Sequence, residues 1–249
     1  MLEQTRIIDG VALCARYAFG PNRLHLCGPD QNREVLDYLA NNQSDTGLKN
    51  ILQGFQTMFP YLKFIAQENQ IRDPFDTKVV EAYWLGNSLL DNISKNTLWQ
   101  YFKYDRRFPK LLGKNYSYLE NKISHGARCH HSFHVLNIWK RTGHKKVEHT
   151  LESLQKCIIS VGRLTRIDGP FLYLKARLLN LVSNRFVLEE VKEIKINRRL
   201  NDEGWLEDAK INDFITFHWD LPCDIISLKQ ANKLIHYTEE SIKLANLTI

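Results

Sequence analysis

The hydrophobic pattern of this chain changes its period once, and that change limits the fold more than any other feature. Up to about residue 150 the apolar residues recur every three to four positions, whereas beyond Cys157 they alternate. A stripe with the first spacing faces a core from a helix, and alternation faces one from a strand. Helices followed by strands point to an α+β chain rather than to alternating βα units. We therefore expect a helical domain over residues 1–150, then a small β-barrel with a C-terminal helix over residues 151–249. The boundary is expected near residues 140–156.

In the helical half, Asp30 is expected to cap a helix burying Val35, Leu36 and Leu39. Leu48, Ile51, Leu52 and Phe55 form a second stripe, and Pro60 opens a further helix. The clearest helix follows Asp76 and carries Val79, Val80, Tyr83, Trp84 and Leu90; Ser94 starts another with Leu98, Tyr101 and Phe102. Aromatics at this spacing are the usual core of packed helices. In the second half, Thr150 to Lys156 reads as a short helix handing over to a strand. Leu172, Leu174 and Ala176 alternate with Tyr173 and Lys175, which describes a half-buried strand. The stretch from Arg185 to Ile196 alternates less cleanly, which suggests a bulge. Phe214 to Trp219 is a further strand. Ser227 and Gln230 then form a capping box for a last helix facing the core with Leu228, Ala231, Leu234, Ile235 and Ile242.

Apolar residues at 43% and charged residues at 25% describe an ordinary globular chain. No run of eighteen apolar residues occurs, so no membrane span is expected. The first apolar stretch, Gly10 to Phe19, is interrupted by Arg16 and does not read as a signal peptide, so the default compartment is the cytoplasm. The five cysteines, Cys14, Cys27, Cys129, Cys157 and Cys223, contain no C-x-x-C and suggest no disulfide framework. A net charge of +6 comes without a nucleic-acid motif, and no nucleic-acid partner is expected.

Two places carry ligand chemistry. Cys157 and His218 each stand at the edge of a strand-like run, and a thiolate with an imidazole on one small β-structure can hold a transition metal. Cys223, beyond the turn at Pro222, is a reserve ligand. The second place is the run His125-Gly-Ala-Arg-Cys-His-His-Ser-Phe-His134, within a stretch to His149 that holds six of the nine histidines. On a helix His130 and His134 share a face, as do His125 and Cys129, which are chelating spacings; with His131 these are candidate metal ligands. The H-E-x-x-H signature is absent, and the other reading is a polar hinge whose histidines bond to backbone or water.

The order Cys157-Ile158, then Gly162-Arg163-Leu164 and Ile167-Asp168-Gly169, followed later by Asp213-Phe214-Ile215 and His218 before a closing helix, resembles the HypC-type chaperones of [NiFe]-hydrogenase maturation. The resemblance covers roughly residues 156–246, whereas the chain as a whole resembles an uncharacterised bacterial family. The HypC resemblance implies a small barrel. It also implies a cysteine, Cys157, that transiently holds iron carrying cyanide and carbon monoxide or docks on the hydrogenase large subunit or a maturation factor, with His218 as helper. In the HypC family that cysteine lies beside the N-terminus, and a Pro precedes the Gly; here Cys157 is internal and Val161 takes the place of the Pro. The leading expectation is an accessory protein of hydrogenase assembly, more a binding protein than an enzyme. The alternatives are a metal-dependent enzyme using the His125–His134 cluster, and a structural subunit of a hydrogenase complex.

Overall fold

The computed structural model describes residues 9–139, 145, 148–200, 203–204 and 206–249. Much of the expected domain boundary, residues 140–144 and 146–147, lies outside the described residues, as does His144. The helical half contains α1 (Gly10–Asn22), α2 (Asn32–Ala40), α3 (Thr46–Gln53), α4 (Met58–Glu68), α5 (Thr77–Trp84) and α6 (Lys95–Gln100). A π-helical turn at Tyr101–Asp105 leads to α7 (Phe108–Leu112), α8 (Tyr116–Ser124) and α9 (His131–Asn137). Helix α10 (Leu151–Cys157) hands over to the strands.

Half of these helices start where a side-chain oxygen satisfies an otherwise unpaired N–H of the first turn. Asp45 accepts from Leu48 N, Asp76 from Lys78 N, Ser94 from Thr97 N and Thr150 from Ser153 N. Asp30 does not cap α2; it pairs with His25, and only Val35 of that helix is buried. Leu48, Leu52, Tyr61, Leu62, Ile65, Val79, Val80 and Tyr83 meet in the centre of the molecule.

The second half contains β1 (Ser160–Asp168), β2 (Phe171–Ala176), β3 (Leu179–Val182), β4 (Arg185–Leu188) and β5 (Lys192–Asn197). The short pair β6 (Arg199–Leu200) and β7 (Glu203–Gly204) follows, then β8 (Phe214–His218), β9 (Leu221–Ile226) and the closing helix α11 (Leu228–Ala245). Five strands form one antiparallel sheet in the order β5-β2-β1-β8-β9. Leu172, Leu174 and Ala176 point to the core while Lys175 is exposed, as alternation requires. The irregular stretch after Arg185 is a break into two strands, β4 and β5, that belong to different sheets. The capping box of Ser227 and Gln230 is formed at the start of α11; Ala231, Leu234 and Ile242 are buried, whereas Leu228 is exposed.

The expected barrel is corrected by the structure: the sheet is open, and β5 and β9 are its two edges. A barrel fills its interior with its own side chains. Here the apolar face of the sheet has other partners, since α11 lies against β1 while α1 lies against β8 and β9. Leu164, Leu174, Ile215 and Phe217 belong to one apolar cluster with Phe19, Val80 and Trp84. Burial against helices therefore adds to burial of the sheet against itself, since β5 and β9 approach each other without pairing. Among the described residues no helix is long and apolar enough to cross a membrane.

Candidate metal centre

Three side chains from three elements meet where the helices join the sheet. His131 is the first residue of α9, Cys157 the last of α10 and His218 the last of β8. Their ligand atoms all lie within 4.8 Å of one another. The three residues are 7%, 5% and 1% exposed, so water does not solvate them as it would a surface cluster.

His218 is held by a local peculiarity of α1. In a regular helix the carbonyl of Tyr17 would accept from the N–H four residues on, but that residue is Pro21, which has none. The freed carbonyl accepts instead from Nδ1–H of His218, at 2.7 Å. The neighbouring Gly20 lets the helix come this close, since a Cβ there would lie 2.5 Å from the His218 carbonyl oxygen. Thr216, two residues earlier on the same face, bonds the Tyr17 hydroxyl at 3.0 Å. Beyond His218 the chain reverses through Trp219 and Asp220, whose φ values are +50° and +63°. Two successive left-handed residues make the tight hairpin turn that matches strand twist. Trp219 N–H donates to the Lys156 carbonyl at 2.9 Å, and the Lys156 ammonium pairs with Asp220 at 3.1 Å. The turn therefore ties the end of β8 to the end of α10, which carries Cys157.

His131 is placed by a helix start. His130 is the N-cap of α9, and its Nδ1 accepts from Ser132 N, so its ring is committed to the helix. The ring of His131 donates from Nε2–H to the Cys157 carbonyl at 2.9 Å. That carbonyl belongs to the last turn of α10 and lacks a helical partner. The hydrogen bonds thus assign both tautomers: His218 keeps its lone pair on Nε2, and His131 keeps its lone pair on Nδ1. His218 Nε2 is buried beside the Cys157 carbonyl without reaching hydrogen-bond geometry, while His131 Nδ1 lies 3.2 Å from the Tyr83 hydroxyl. A histidine that ligates a metal commonly has its other N–H fixed on a carbonyl in this way.

Electrostatics hold both rings neutral. Burial pushes His218 down to about 4 against the opposing interactions with the Tyr17 and Cys157 carbonyls. Burial, and next the proximity of His218, push His131 well below the ordinary histidine range. A metal ligand must be neutral imidazole, and these two are so at neutral pH without any ion. A cavity of about 30 Å³ adjoins them, lined also by Cys27, Met58, Tyr83 and Trp84. It has room for about one water.

The other sequence candidates lie elsewhere. His125 is exposed at the end of α8 and bonds the Asn121 carbonyl at 2.8 Å. Cys129 is buried in the main core, where desolvation pushes its thiol far up. His130 serves as the cap just described, and His134 bonds the Tyr61 hydroxyl at 3.1 Å. Cys223 is buried on β9, its thiol raised first by desolvation and contacting the Leu221 carbonyl at 3.7 Å. The hairpin does bring the Cys223 thiol to the backbone N–H of His218, but not into the cluster of His131, Cys157 and the His218 ring. The chelating spacings expected within the histidine run are not realised, since α9 begins only at His131. Among the described residues, His131 is the member of that run that reaches Cys157 and His218. Tyr17, Gly20, Pro21 and Tyr83 were not legible as site residues, although a Gly-Pro pair ending a helical stripe marks an unusual carbonyl.

A family model described as DUF6390, a family of unknown function, matches residues 6–249. The chain belongs to that family. The match runs through helices and strands alike, so the three cluster residues all lie within it. No curated protein and no solved structure matches the chain.

Proposed function

We propose that this protein holds one soft or borderline transition-metal ion, of the zinc class, on His131 Nδ1, His218 Nε2 and the thiolate of Cys157. The observation that carries this reading is the pair of buried neutral imidazoles, each with one N–H fixed on a backbone carbonyl, beside a buried thiol. Zinc bound by two imidazoles and a thiolate separates ligand atoms by about 3.4–3.6 Å, as its bond lengths of roughly 2.0 and 2.3 Å require. Side-chain rotations that draw the three atoms together from within 4.8 Å reach that geometry. Binding displaces the thiol proton of Cys157, and the Tyr83 hydroxyl turns from His131 toward the cavity. Three protein ligands leave one position open, and the cavity fits a water or a ligand of that size.

The narrower reading, an accessory protein that handles iron for [NiFe]-hydrogenase through a HypC-like segment, uses the same Cys157 and His218. Imidazole and thiolate also suit iron. The burial of Cys157 favours a resident ion over one handed to a partner, because the thiol must be uncovered before anything docks on it.

Cobalt(II) titration of the apo-protein tests the proposal. We expect one ion per chain, with a thiolate-to-cobalt charge-transfer band lost in Cys157→Ser and weakened in His218→Ala. A wild-type protein that takes up no cobalt or zinc, or whose cobalt spectrum is unchanged in Cys157→Ser, overturns it. Retained binding of a hydrogenase large subunit by that metal-free protein would instead favour the assembly reading.

A further inference from the structure

A second concave site lies where β1 meets β2, β8 and α11, beside a gap that the sheet leaves open. β2 pairs with β1 only as far as Ala176, opposite Gly162. The chain then leaves through Arg177 to the β3–β4 hairpin, so Ile158 to Val161 have no β2 neighbour. The gap is bounded by Leu188 and Val191 on one side and by Leu234 and Ile235 of α11 on the other. It encloses about 150 Å³.

The wall is mostly aliphatic, and its charged members are all cations: Arg163, Lys175 and Arg177. Arg177 is already committed to Glu239 and to the carbonyls of Leu188 and Glu189. Arg163 and Lys175 make no ion pair among the described residues, and they sit directly opposite each other on β1 and β2. Like charges in facing positions are unfavourable, and Glu193, which faces Lys175 from β5, holds its carboxylate on the Thr165 hydroxyl at 3.1 Å. No carboxylate side chain lines the gap. Gly162 lets β1 pack closely on β2 beside it: a Cβ there would lie 2.8 Å from the Leu174 Cβ and 3.1 Å from that of Ala176.

We propose that this gap binds a small organic acid, with its carboxylate between Arg163 and Lys175 and a short apolar tail between β1 and α11. An apolar slot with a few converging polar groups is the usual form of a small-molecule site. The volume corresponds to about five waters, which suits a tail of five or six carbons rather than a long lipid chain. The proposal does not depend on the metal centre.

The test is amide chemical-shift mapping of the full-length protein with hexanoate, alongside the neutral analogue hexanamide. Saturable shifts at Val161, Gly162, Arg163 and Lys175 are expected, with hexanoate at least tenfold tighter than hexanamide. The double variant Arg163→Gln/Lys175→Gln changes two exposed side chains and should abolish that preference. Val191→Trp, at a position 57% exposed, should block both ligands by filling the slot. Absence of saturable shifts at these amides, equal affinity for acid and amide, or an unchanged preference in the double variant each overturns the proposal.

Discussion

Replacing Gly20 with alanine separates the geometry described here from simple helix energetics, because the two give opposite signs. Gly20 lies inside α1, where alanine is favoured over glycine by about 0.8–1.0 kcal/mol. If α1 merely rested near the sheet, Gly20→Ala would therefore stabilise the protein. The structure places the added Cβ 2.5 Å from the carbonyl oxygen of His218, whereas real Cβ atoms essentially never come within 3.0 Å. The difference, 3.0 minus 2.5, means that β8 must retreat by at least 0.5 Å. The atom in the way is backbone, so no side-chain rotation relieves it. Overpacking of this kind costs about 1–3 kcal/mol. After subtraction of the propensity gain, we expect a net destabilisation of roughly 0.5–2 kcal/mol. For a chain of this size that lowers the melting temperature by several degrees. The same retreat stretches the bond from His218 to Tyr17 from 2.7 Å toward the limit of hydrogen bonding. Loosening such an orienting bond weakens metal affinity by about 10–100-fold. Thermal unfolding by circular dichroism and cobalt titration read both effects. A melting temperature above that of wild type would refute the reasoning, since it would mean that α1 does not press on His218.

Three further outcomes follow from buried charge and backbone strain. Acidification should destabilise the metal-free protein: burial lowers His130 to about 3 and His218 to about 4, so the unfolded chain binds more protons below pH 6.5. The stability these rings contribute is full above pH 6.5 and lost as pH falls toward 4; urea midpoints that do not change between pH 7 and pH 4.5 would contradict this. Lys122 is almost wholly buried and burial alone pulls it down to about 8, so Lys122→Met should raise stability at pH 7 by about 1–2 kcal/mol; a lower urea midpoint would show that the ammonium has a favourable partner. In the β3–β4 hairpin Ser183 and Asn184 both have positive φ and are exposed, so Asn184→Gly should stabilise by about 0.5 kcal/mol, which a rise in melting temperature would register and a fall would refute.

Elements whose cause is local were legible in the sequence. Asp76, Ser94, Thr150 and Ser227 start helices because the capping oxygen and the N–H it satisfies lie within three residues. The alternation of Leu172, Leu174 and Ala176 fixes the face of β2 for a similar reason. Where the sequence misled, a distant partner decided. The apolar face of the sheet could be satisfied by closure or by helices, and α1 and α11 supply the second solution. In the histidine run, spacing favoured pairs within one helix, but the helix starts at His131 with His130 as its cap.

The sequence by itself determined that helices precede strands, where four of them begin, and that Cys157 and His218 stand at element ends. Those are consequences of period and of neighbours a few residues away. It did not determine which histidine joins them. That choice rests on His130 capping α9, which leaves the ring of His131 to reach the Cys157 carbonyl, while Pro21, Gly20 and the hairpin after His218 bring His218 to the same place. The contacts of α1 with β8 join parts of the chain about two hundred residues apart, and no periodicity records such contacts. The centre is therefore a product of packing, assembled from residues whose separate positions give little sign of it.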